Sequence, residues 1–264
     1  MKKIIKSVTC FVCAVLCLLA FSACGKDEGD VYSNMTKSGF NNYLTNEETT
    51  TKFSNYEVNI VEKVDGDETL EINLKTRTLG GKSIGIATYK SGGLNVNVYI
   101  SQDKVYFKFK NSSGTVIDAQ NHIVNMDFYA KQGLTGLGLN VNETIVIKSL
   151  YDCLTSVDVQ KIYTKIKDET TRLEEEYSIK MSIKNNYDKF KINYSAEEES
   201  ASFAEEYSIN TYFEFYKDTI NKIEYIKSGK QIDNTAFSNY EYKMTVTGFD
   251  GTITLPAELG EENS

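Results

Sequence analysis

"YSINTYFEFYKDTINKIEY", residues 207–225, decides the fold. Tyr207, Ile209, Thr211, Phe213 and Phe215 alternate with Ser208, Asn210, Tyr212 and Glu214. Lys217-Asp218-Thr219 then turns the chain into Ile223 and Tyr225. Successive side chains of a strand point to opposite faces, so period two reads as a half-buried strand, and the repeat after a polar turn reads as a hairpin.

The same rhythm extends in both directions. Tyr177, Ile179, Met181 and Ile183 alternate, as do Phe190, Ile192 and Tyr194, and then Tyr240, Tyr242, Met244 and Val246. An earlier block does likewise: Tyr56, Val58 and Ile60; Leu70, Ile72 and Leu74; Ile84 and Ile86; Leu94 to Ile100; Val105, Phe107 and Phe109. Turn signals separate these runs at Asp65–Glu68, Gly80-Gly81, Ser91-Gly92-Gly93 and Ser101–Lys104. The pattern predicts an antiparallel meander with one apolar and one wet face, placing Ile84 and Ile86 on the apolar side.

Residues 111–167 interrupt it. "DFYAKQGLTGLGLN" (127–140) is a Gly/Leu-rich loop. Val146, Leu150, Cys153, Leu154 and Val157 then recur at helical spacing, although the β-branched "TIVI" blurs where the helix begins. Ser156 and Asp158 are caps for a second helix carrying Val159, Ile162 and Ile166. Strands, helices, then strands again define a mostly β domain.

Composition agrees. A chain of 264 residues with 41% hydrophobic and 25% charged side chains is neither disordered nor polytopic. One Pro, no Trp and 18 Tyr favour strands over helical bundles. Removing Lys2, Lys3 and Lys6 with a leader takes the net charge from −8 to −11, so no basic footprint for nucleic acid exists.

That leader is the second informative stretch. Lys2, Lys3 and Lys6 precede an uncharged run from Val8 to Phe21, shorter than the roughly 20 residues of a membrane span but the length of a signal-peptide core. Ser22 and Ala23 then precede Cys24. This arrangement resembles the lipobox of bacterial lipoproteins, with Phe21 where Leu is usual. The resemblance implies that Cys24 is diacylated and heads the mature chain, holding the protein at the extracytoplasmic face of a cell membrane. Secretion with cleavage after Ser22 and an uncleaved N-terminal anchor are the alternatives. "CFVC" (Cys10–Cys13) has redox or zinc spacing but lies inside the leader with Cys17, which leaves Cys153 without a disulfide partner. The expected organisation is residues 1–23 as signal peptide, 24–50 as a polar tether with a weakly docked helix, 51–257 as the β domain, and 258–264 as a tail.

The long Tyr/Ile strands from 177 to 246, the closing "TITLPAE" (Thr252–Glu258) read as a final strand, and the N-terminal tether together resemble the LolA/LolB and LppX-type lipoproteins. The resemblance covers about residues 51–257 and rests on pattern, so it carries over no ligand-contacting residue. It implies a half-barrel, a curved antiparallel sheet with helices and loops over its concave side. It also implies binding of an acyl chain or similar hydrophobic ligand, as carrier or sensor.

His122 is the single histidine; no GxSxG accompanies it, and it reads as a loop or surface residue. Gly133, Gly136 and Gly138 lack the Lys-Ser/Thr of a phosphate loop. The acidic runs at 174–176 and 197–200 lack calcium-loop spacing and read as solvated hairpin tips. No catalytic residue, metal or cofactor is expected, and the chain reads as a non-enzyme. The candidate ligand-lining residues are Leu134 and Leu137 as a lid, with Val146, Leu150 and Leu154 from the first helix. The competing reading is a ligand-free surface module for a protein partner or the envelope, because a sheet curved around a cavity and a sheet packed on helices alternate identically.

Overall fold

Tight hairpins set the topology. The computed structural model describes residues 30–117, 121–125, 139–155, 157–172, 177–200, 203–233 and 236–259. From Ser33 onward the chain forms one compact unit. It opens with β1 (Ser33–Met35) and α1 (Lys37–Leu44). A first meander follows: β2 (Tyr56–Val64), β3 (Asp67–Leu79), β4 (Lys82–Ser91), β5 (Leu94–Ser101), β6 (Lys104–Lys110) and β7 (His122–Asn125). Two helices come next, α2 (Val141–Thr155) and α3 (Val159–Arg172). The second meander is β8 (Tyr177–Lys184), β9 (Tyr187–Ser200), β10 (Phe203–Tyr216), β11 (Thr219–Asp233) and β12 (Ala236–Gly248). Asp65-Gly66, Gly80-Gly81, Gly92-Gly93, Asn185-Asn186 and Lys217-Asp218 all take positive φ at both positions. That is the primed-turn geometry whose twist matches the flanking strands.

The twelve strands form one antiparallel sheet in the order β1-β8-β9-β10-β11-β12-β2-β3-β4-β5-β6-β7. β12 joins the two meanders by pairing with β2, Met244 opposite Ile60 and Val246 opposite Val58. The two edges, β1 and β7, are only three and four residues long, which limits the unpaired backbone they expose.

Flat, a sheet of this order would be about 50 Å wide at 4.8 Å per strand, against helices about 10 Å across. Yet one apolar cluster contains residues of every strand from β2 to β12 and of the three described α-helices, with Met35 of β1 packed against it. Only a sheet curled around its helices permits this, so the protein is a mostly β fold with a curved open sheet and helices on the concave side. The route from β7 to β8 leads from one edge of the sheet toward the other, and α2 and α3 lie along it.

Four details differ from the expectation. The short helix expected within residues 24–50 is present as α1, but it is firmly rather than weakly docked: Phe40 is fully buried, its ring 4.9 Å from Tyr163 and 4.8 Å from Phe190, and the α1 N-cap Thr36 Oγ1 accepts from Gly39 N at 3.0 Å. The polar composition of the segment hides one apolar stripe, Phe40 and Leu44. Next, Ile84 and Ile86 point to the convex side, because Gly85, Ala87 and Tyr89 pair opposite Thr76, Leu74 and Ile72. Third, Thr252–Pro256 is irregular rather than a strand. It lies on the convex side of the first meander, where Arg77 Nη1 donates to Gly251 O at 2.9 Å and Tyr106 Oη donates to Glu258 at 3.3 Å. Ile253, Leu259, Ile84 and Tyr106 are all buried. The convex face is therefore not uniformly wet. Finally, residues 258 and 259 belong to the domain through a short 3₁₀ turn, Ala257–Leu259.

The helices carry the expected stripes. "TIVI" lies inside α2, because Asn140 and Glu143 form a reciprocal capping box upstream of it: each backbone N–H donates to the other's side chain at 2.9 Å. Asp158 caps α3 by accepting from Gln160 N at 3.0 Å, and it pairs with Lys52 at 3.4 Å. Ser156 lies outside the described residues.

Candidate functional site

Cross-strand register builds the floor of a concave-side pocket. Tyr225 and Lys227 of β11 stand opposite Met244 and Tyr242 of β12, and all four face inward with the core residues Ile223 and Val246. Ile162 and Lys165, one turn apart on α3, supply the opposite wall. These six residues line a half-open pocket of about 310 Å³, within the range of small-ligand sites and near its lower end. Tyr225 and Tyr242 meet edge to face with centroids 6.1 Å apart. Burial lifts the Tyr242 phenol well above its ordinary range, with Cys153, Glu62 and Asp152 adding to the effect, so it stays a neutral hydroxyl.

Beyond the pocket the same face continues as an aromatic band. Tyr194, Tyr207 and Ile209 form a second buried cluster with half-buried Tyr177, Tyr225 and Tyr240 packed on it. Gly229 stands in register between Tyr207 and Tyr240. A Cβ there would lie 2.3 Å from Glu206 O and 2.8 Å from Tyr207 Cα, so the close approach of β10 and β11 requires glycine. Lys227 Nζ sits 4.0 Å above the Tyr207 ring and 2.8 Å from Glu205, whose carboxylate also accepts from Tyr240 Oη.

The sequence-predicted ligand residues sit elsewhere. Val146 and Leu150 are fully buried in the packed core, and Leu154 is half-buried against it; none lines this pocket. Leu134 and Leu137 lie outside the described residues, as do Cys24, the leader and Gly133, Gly136 and Gly138. Cys153 is free and buried, and burial pushes its thiol up to about 12, which suits packing rather than nucleophilic chemistry. His122 lies on β7, with Nδ1 2.7 Å from Glu143 Oε1. It thereby anchors the buried capping carboxylate of α2 to the sheet edge.

Ile162, Tyr225, Tyr242 and Met244 were legible as inward-facing, but nothing in their alternation separates a pocket wall from solid core. Lys165 and Lys227 carry no sequence signal that singles them out. Among the described residues, no group of three His, Cys, Asp or Glu side chains is placed to hold a metal ion, and no helix is long and apolar enough to cross a membrane. The chain matches no protein-family model and no curated protein.

Proposed function

We propose that this protein is a membrane-anchored, extracytoplasmic lipoprotein that binds a lipid or other hydrophobic ligand as carrier or sensor. The observation that carries the reading is the concave-side pocket floored by Tyr225, Tyr242 and Met244 and walled by Ile162. A half-barrel meets its helices there without filling the space, and the lining is chiefly apolar. Its volume suits one acyl chain or a comparable small amphiphile rather than a multi-chain lipid. Attachment through Cys24 would hold the pocket near a bilayer from which such a ligand could be drawn; two acyl chains at about 0.8 kcal/mol per buried methylene suffice for stable anchoring.

The test is titration of delipidated protein, residues 24–264 carrying Cys24→Ser, with a fluorescent fatty acid. Saturable micromolar binding at one site supports the reading. A ligand-free interaction module is the competing reading, favoured by the burial of Val146 and Leu150 in the core cluster. Absence of binding would make it the better account.

A further inference from the structure

Two cations border an otherwise apolar pocket, and their positions bear on what end of a ligand would be left at its mouth. We infer that the ligand is a single-chain amphiphile with an anionic head, a fatty-acid-type carboxylate, held by Lys165 and Lys227. This inference rests on the proposed apolar-ligand reading and adds the headgroup.

Lys165 projects from α3 and Lys227 from β11, so they stand on the helix and sheet walls of the same pocket. Lys165 is exposed on α3. Lys227 is fixed from behind: the Tyr207 ring holds its ammonium at 4.0 Å, and Glu205 approaches it at 2.8 Å. An ammonium has three donors, so one carboxylate leaves capacity for another acceptor. The register also polarises the mouth. Lys227, Tyr242 and Glu62 follow one another across β11, β12 and β2, which puts Glu62 two strand spacings, about 10 Å, from Lys227. An anion is therefore drawn to the Lys165–Lys227 side and repelled from the Glu62 side. With its head there, a chain would lie over Tyr225 and Met244 beneath Ile162. Glu205 is an internal competitor for Lys227, so removing its charge favours the external anion.

The experiment compares laurate with dodecanol, which share a chain length and differ in head charge, by calorimetric titration of the delipidated Cys24→Ser chain. Wild type is expected to bind laurate about tenfold more tightly, the scale of one charge-assisted hydrogen bond. Lys165→Met should bring the two ligands together by weakening laurate alone, and Glu205→Gln should tighten laurate with dodecanol unchanged. Equal affinities in wild type, or a ratio that survives both Lys165→Met and Lys227→Met, would overturn the headgroup while leaving the apolar site intact. If neither ligand binds, the pocket reading falls and the headgroup with it.

Discussion

Phe40→Ala is the sharpest perturbation of the fold that frames the pocket. Phe40 is fully buried, and its ring meets those of Tyr163, Phe190 and Phe213 at 4.9, 4.8 and 6.0 Å. It therefore ties α1 at once to α3 and to two strands of the second meander. Truncating a buried Phe to Ala costs about 3–5 kcal/mol, transfer and cavity terms together. The upper half of that range is expected, because the hole would be walled by three rigid rings that collapse poorly. Thr36→Ala provides a second scale: it removes only the N-cap bond to Gly39 and should cost about 1 kcal/mol. Urea unfolding followed by circular dichroism measures both, and the m-value should not change. A loss below about 1 kcal/mol for Phe40→Ala would mean that α1 is peripheral. The segment would then be the tether its composition suggests.

Leu150→Trp should destabilise by about 1–3 kcal/mol and leave ligand binding intact, since Leu150 is fully buried in the core cluster and does not line the pocket; thermal melts beside a binding titration check this. Cys153→Ala should cost about 1 kcal/mol or less, and the wild-type thiol should react with a disulfide reagent only after unfolding. His122→Ala should cost about 1–3 kcal/mol in a urea melt by leaving the buried Glu143 carboxylate short of a partner. Hydrogen exchange should show the first turn of α2 losing protection in that variant.

Much of the sheet was legible because period two and turn chemistry agree along the chain. Gly80-Gly81, Gly92-Gly93 and the Lys217–Thr219 turn each fall between alternating runs, and register follows from pairing them. The errors arise where a local pattern answers to a distant partner. Ile84 and Ile86 look like core residues because the tail that covers the convex face, from Gly251 to Leu259, arrives more than 160 residues later. Residues 33–50 look like a tether because two apolar side chains, Phe40 and Leu44, suffice to dock a short helix into a cluster built elsewhere. The pocket was not legible at all. Tyr225 and Met244 alternate no differently from Ile223 and Val246, and only the height of α3 above the sheet distinguishes a wall from a packed layer.

Native mass spectrometry of the chain purified from the cells that make it, alongside Ile162→Trp, which adds bulk into the pocket from the α3 wall, tests whether the pocket holds a ligand. A single small amphiphile should be retained per wild-type chain, retained also in Leu150→Trp, and lost in Ile162→Trp while the fold persists. An identical ligand-free spectrum for wild type and Ile162→Trp, with no laurate taken up on titration, would contradict it.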